Sequence, residues 1–112
     1  MRIIGGKLKG SNLYISKNLS TRPLKDLVRE SIFNLLTHSN KISFKFEKIR
    51  VLDLYSGTGS FGLECLSREA GNVCFVENSG EAIKILKKNI NKLNLNNKTK
   101  ILSGNVFHEI EK

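Results

Sequence analysis

The rhythm of apolar and polar positions becomes regular from residue 50 onward. RVLDLY (50–55), NVCFVE (72–77) and TKILSGN (99–105) are short apolar runs bounded by turn residues, and each predicts a strand. SFGLECLSREA (60–70) predicts a helix with Phe61, Leu63, Cys65 and Leu66 facing mostly inward. SGEAIKILKKNINKLN (79–94) predicts a second, with Ala82, Ile83, Leu86, Ile90 and Leu93 at the three- and four-residue steps of an amphipathic helix. Strand–helix–strand–helix–strand at this spacing requires a parallel sheet, because parallel neighbours need a crossover between them. The fold class is therefore α/β, with a Rossmann-like order of elements.

The first 48 residues follow a different pattern. RII (2–4) and NLYIS (12–16) predict a β-hairpin or a pair of short strands, with Leu13 and Ile15 on one face. Gly5, Gly6 and Gly10 lie between them, among Lys7 and Lys9. Such a segment serves either as a hairpin turn or as a loop following a phosphate backbone. LKDLVRESIFNLLT (24–37) predicts an amphipathic helix with Val28, Ile32, Leu35 and Leu36 inward, and Lys25, Arg29 and Glu30 elsewhere. Pro23 suits its entry, where a missing N–H costs nothing. HSNKISFKFEK (38–48) reads as a polar connector with Phe44 and Phe46 alternating. The expected division is a basic N-terminal extension at 1–48 and a main unit at 49–112.

Charge sharpens that division. The net charge is +9, and residues 1–50 carry 11 Lys+Arg against 3 Asp+Glu, whereas residues 51–112 carry 8 against 7. A half this basic attracts a polyanion by releasing its counterions, which points to nucleic acid. A solvated lysine-rich surface is the plainer alternative. An anionic membrane fits less well, because no basic amphipathic helix carries the charge. There is no apolar run near the length of a membrane span, and MRIIGGKLKG has no secretory pattern. Cys65 and Cys74 match no metal-ligand or redox spacing and read as buried packing residues of a cytoplasmic protein. His38 and His108 are isolated, so neither a metal nor a catalytic histidine is expected.

The candidate chemistry lies in DLYSGTGSFG (53–62). Gly57, Gly59 and Gly62 have the spacing of a nucleotide-binding turn between a strand and a helix, and Glu77 ends the next strand 20 residues after Gly57. An acid there can accept hydrogen bonds from both ribose hydroxyls of a nucleoside. A dinucleotide would place its pyrophosphate at the helix N-terminus, close to Asp53. Two like unit charges about 4 Å apart repel by about 4 kcal/mol at an effective dielectric near 20. The acid thus favours a cationic guest. S-adenosylmethionine, with its ammonium, sulfonium and ribose and no phosphate, fits on charge. In a purely structural alternative, Asp53 only caps the loop. At the third strand end, Asn105 can donate to and accept from an adenine edge, with Val106 or Phe107 flanking the ring.

RIIGGKLKG, TRPLKDLVRESIFNLL, VLDLYSGTGSFGLECLSREA and VCFVE, in this order, resemble the bacterial 16S ribosomal RNA (guanine-N2)-methyltransferase family of the RsmD type. The N-terminal pieces are the specific part. Asp-x-x-x-Gly-x-Gly alone indicates a class I methyltransferase. The resemblance implies a Rossmann-like methyltransferase fold, with residues 49–112 as the first half of its cofactor domain. It implies that Asp53, Ser56, Gly57, Thr58 and Gly59 line the methionine part of S-adenosylmethionine. Glu77 and Asn78 would meet the ribose, and Asn105 and Val106 the adenine, where the family pattern more often has Asp at 105. Arg2, Lys7, Lys9, Arg22 and Arg29 would grip 16S ribosomal RNA or the small ribosomal subunit. Relatives hold the target amine with an Asp/Asn-Pro-Pro-Tyr/Phe motif after a fourth strand, and Pro23 is the single proline here. The expectation is a truncated form that by itself does not turn over, the alternative being a non-enzymatic RNA- and cofactor-binding fragment. A sheet of three strands leaves an open edge, which predicts self-association.

Overall fold

The computed structural model describes residues 1–15, 26–38 and 46–104. Its elements are α1 (Asp26–His38), β1 (Arg50–Leu54), α2 (Ser60–Ser67), β2 (Asn72–Glu77), α3 (Gly80–Lys92) and β3 (Thr99–Ser103), with a 3-10 turn at Asn96–Lys98. The three strands form one sheet in the order β1-β2-β3, and both neighbouring pairs are parallel. Val51 pairs with Val73 and Val73 with Thr99, so all three strands end together at Leu54, Glu77 and Ser103.

The helices form where local chemistry allows. Ser79 caps α3, its hydroxyl accepting from the Ala82 N–H at 3.3 Å. The α3 stripe of Ala82, Ile83, Leu86 and Ile90 is buried. Helix α2 is buried along most of its length, including Leu63, Cys65 and Leu66. Its third residue, Gly62, lies so close to β2 that a Cβ there would collide with the Phe75 ring. That absent side chain brings the start of α2 down onto the sheet.

The N-terminal segment differs from the expected strand pair. Its pairing is one isolated antiparallel bridge, Arg2 with Asn12. Ile3 and Leu13 are buried, while Tyr14 and Ile15 are about half exposed, so Leu13 and Ile15 do not share a buried face. The glycine loop has its own partners. The Ile4 and Gly5 amides donate to the Glu64 carboxylate at 2.9 Å each, Lys7 N–H to the Ser67 carbonyl, and Leu8 N–H to the Ser67 hydroxyl. These backbone donors are committed to α2, so contact with a phosphate from this loop falls to the exposed Lys7 and Lys9 side chains rather than to these amides.

Helix α1 turns only part of the expected face inward, with Ile32 and Leu36 half-buried and Leu36 against the core. Phe33 and Arg29 are fully buried, whereas Val28 and Leu35 are exposed. Phe33 packs against Phe46 and Phe61 with ring centroids 5.3 and 5.1 Å away, and the Arg68 guanidinium lies over it. Arg29 is accommodated because it meets Glu64, also fully buried, at 3.7 Å and donates to the Arg2 carbonyl. Ile3, Leu13, Phe33 and Phe46 share one buried cluster with Leu63, Phe75 and Leu86.

Candidate functional site

The loop 55–59 leaves β1 at the end where β2 and β3 also finish. Tyr55 is 68% exposed and has a positive φ of 55°, uncommon for a residue with a Cβ. Gly59, the N-cap of α2, has φ 92°, and a Cβ there would meet the Leu86 side chain of α3. The turn therefore needs glycine for both conformation and space. Ser56 N–H donates to the Val76 carbonyl at 3.1 Å, tying the loop to the end of β2.

Asp53 and Glu77 organise this end of the sheet. One Asp53 oxygen, Oδ2, accepts from the Gly62 N–H at 3.1 Å. That amide is one of the unpaired donors of the first turn of α2, and Gly59 provides no side chain to satisfy it. Asp53 thus caps the helix from the neighbouring strand and puts a carboxylate beside its first turn, where an incoming anion would be repelled. Burial nevertheless raises its pKa to about 6, only partly offset by the Gly62 hydrogen bond and reinforced by the charge of Glu77. Glu77 Oε1 accepts from Gly57 N–H at 2.8 Å, and Oε2 from Asn78 and Ser79 N–H at 3.0 and 2.9 Å. The Glu77 carboxylate thereby joins the glycine loop to the entry of α3. Its own carbonyl accepts from Gly104 N–H at 3.0 Å, drawing in the exit of β3.

Asp53, Ser56, Gly57, Thr58, Gly59, Glu77 and Asn78 are thus brought together at one end of the sheet. Asn105 and Val106 lie outside the described residues, as do Phe107 and His108. Of the residues expected to grip RNA, Arg2, Lys7 and Lys9 are exposed, and Lys7 pairs with Glu69 at 3.1 Å. Arg22 lies outside the described residues. Arg29 is corrected: buried against Met1, Arg2 and Glu64, it is withdrawn from any surface an RNA could touch. Cys65 is buried as expected, and burial pushes its thiol up to about 12, which makes it a packing group rather than a nucleophile. No group of metal-ligating side chains is found among the described residues.

Two buried polar residues were missed from sequence. Glu64, between Leu63 and Cys65, joins α2 to the N-terminal segment. Asn89, fully buried, accepts from Tyr14 N–H at 2.7 Å and donates to the Tyr14 and Thr58 carbonyls at 3.1 and 3.0 Å. The available signal was spacing, because Asn89 follows Ala82 and Leu86 at the same helical steps as the apolar stripe.

Comparison with known proteins places this arrangement among the class I methyltransferase folds. The C-terminal domain of precorrin-6Y C5,15-methyltransferase from Rhodobacter capsulatus superposes with a TM-score of 0.69 at 16% identity, covering 81% of this chain and 45% of that one. At that identity the likeness is one of fold. The Escherichia coli protein yhhF superposes with a TM-score of 0.83 at 28% identity, covering 100% of this chain and 56% of that one.

The chain belongs to the RsmD-like methyltransferase family, Conserved hypothetical protein 95, which it matches over residues 1–112. Ribosomal RNA small subunit methyltransferase D of Buchnera aphidicola subsp. Baizongia pistaciae is 32% identical over 112 residues, covering 100% of this chain and 54% of that protein. The Escherichia coli K12 protein of the same name is 32% identical over 107 residues, covering 96% and 50%. The chain spans about half the length of the curated relatives it matches. Among the described residues, no helix is long and apolar enough to cross a membrane.

Proposed function

We propose that residues 49–112 form the first part of an S-adenosylmethionine site, in a methyltransferase acting on the exocyclic N2 amine of a guanine in 16S ribosomal RNA. The observation that carries the cofactor reading is Asp53. The anion position at the start of α2 already holds a carboxylate of the chain itself, so a pyrophosphate is disfavoured there. The same carboxylate is desolvated and faces a second acid, an environment that a cation relieves. In this reading Asp53 receives the methionine ammonium beside Ser56, Gly57, Thr58 and Gly59.

Glu77 and Asn78 are assigned to the ribose. The Glu77 carboxylate has about four acceptor positions and three backbone donors, which leaves capacity for a hydroxyl. Asn105 and Val106 are assigned to the adenine. When bound, S-adenosylmethionine supplies a methyl group activated on a sulfonium. The chain's residues orient the donor and hold a negative charge at its amino-acid end. Holding the guanine amine is assigned to no residue of this chain. The RNA and its N2 position are carried over from the family, with the exposed Arg2 and Lys9 as contacts.

Two substitutions separate the ligand role of Asp53 from its capping role. Asp53→Asn keeps an oxygen for the Gly62 N–H and removes the buried charge. It should stabilise the ligand-free chain by about 1 kcal/mol at pH 7, after discounting for partial exposure, and weaken S-adenosylhomocysteine binding about tenfold or more. Asp53→Ala should weaken binding as much and, because it also loses the cap, be about 1 kcal/mol less stable than Asp53→Asn. Calorimetric titration and urea unfolding read both effects. Unchanged affinity in Asp53→Asn would mean that the carboxylate only caps the helix.

A further inference from the structure

We propose that Tyr14, Lys88 and Lys92 form a contact platform for single-stranded RNA beside the cofactor loop, a surface separate from the N-terminal basic residues. The proposal rests on the RNA reading above and assigns a place to it. Tyr14 is 50% exposed, a large aromatic left in solvent. Its backbone is nonetheless fixed, since Asn89 binds both its N–H and its carbonyl. Lys88 and Lys92, one helical turn apart on α3, bring their ammonium groups to 5.9 and 5.3 Å from the ring centroid. Among the described residues, the shallow depression they form with Asn91 is lined by no carboxylate.

Other basic positions are less available to a polyanion. Lys7 is paired with Glu69 and Arg29 is buried. Arg2 and Lys9 share their groove with Glu30. The α3 surface adds Lys84 and Lys87, both exposed. A fixed aromatic among cations matches single-stranded nucleic acid, whose bases stack on such rings while lysines meet the phosphates. A membrane surface would want a cluster of apolar side chains around the tyrosine; its neighbour Ile15 is half exposed, but among the described residues the depression itself is lined by Asn91 and the lysines. Asn89 also sets the location: the side chain that fixes Tyr14 donates to the Thr58 carbonyl of the glycine loop. RNA lying on this platform is therefore registered against the proposed methyl donor.

The test is a fluorescence-anisotropy titration of the 112-residue chain with a short labelled single-stranded RNA of mixed sequence, at several salt concentrations. Tyr14→Ala should weaken binding about tenfold and Tyr14→Phe should retain it, since stacking needs the ring and not the hydroxyl. Both variants keep the backbone bonds to Asn89. Lys88→Ala should reduce the slope of log affinity against log salt by about 0.7, the loss of one phosphate contact. Lys88 is chosen because Lys92 also donates to the Asn12 carbonyl. Wild-type affinity in Tyr14→Ala would overturn the platform, and so would an unchanged slope in Lys88→Ala. So would absence of RNA binding by the parent chain, or equal competition by polyglutamate, which has charge but no bases. S-adenosylhomocysteine titration of the same variants keeps the two readings apart. Retained cofactor binding with Tyr14-independent RNA binding defeats the platform alone, whereas Tyr14-dependent RNA binding without cofactor binding defeats the cofactor reading alone.

Discussion

Asp53 shows how one side chain can hold a fold together and still be set up for a ligand. Its oxygen completes the first turn of α2, while burial and Glu77 hold its pKa near 6. Because the folded value lies above the unfolded one, this group favours the folded chain when protonated. Its contribution to stability therefore falls as pH rises from about 4 to about 6. Ligand affinity should move the other way, because a cationic ammonium binds the ionised form. S-adenosylhomocysteine binding should tighten from pH 5 to pH 7 and level off above, and Asp53→Asn should flatten that part of the profile. Titrations at these pH values check it, and a profile equally steep in the variant would place the titrating group elsewhere.

At the scale of elements, the N-terminal segment is fastened to α2 through one buried acid. Glu64 receives Ile4 and Gly5 N–H and meets Arg29 and Arg68. Removing one partner of a buried charge pair leaves the other uncompensated. Glu64→Gln should therefore cost about 3 kcal/mol in urea unfolding, and adding Arg29→Met should recover part of that loss, because it removes the uncompensated cation while the glutamine oxygen still accepts from Ile4 and Gly5 N–H. A cost below about 0.5 kcal/mol, the usual range of surface substitutions, would contradict the fastening. The main strands were legible in sequence because their apolar runs are short and bounded by turns. β2 spans 72–77 as expected, and β1 and β3 lie within the expected ranges. Helix α1 was legible as an element, but its inward face only in part, through Ile32 and Leu36. Hydropathy alone places Arg29 outside, and only the tertiary partner Glu64 makes its burial affordable in energy. Asn89 was hidden for the same reason, since its partners at Tyr14 and Thr58 lie 75 and 31 residues away.

In the whole molecule, basic character and open sheet edge occur together. β1 pairs on one side only among the described strands, and Leu52, Leu54 and Tyr55 are exposed. Such an edge is a template for another chain, while a net charge of +9 opposes close approach. The 112-residue chain should therefore associate more as salt rises, and Leu52→Lys should keep it monomeric. Sedimentation velocity across a concentration series checks this, and a concentration-independent monomer at high salt would contradict it. The gathering of Asp53, the glycine loop and Glu77 at one sheet end was readable from motif spacing. Capping by Asp53 was open in the sequence as an alternative, but its falling on Gly62 of α2 was not readable, because that depends on how closely Gly62 lets the helix approach β2.

The central claim is that the glycine loop receives the ammonium end of a nucleoside and not a phosphate. Calorimetric titration of the unmodified chain with S-adenosylhomocysteine and, separately, with NAD tests it most directly. Saturable heat with S-adenosylhomocysteine and none with NAD is the predicted result. Binding of NAD without binding of S-adenosylhomocysteine would contradict the account.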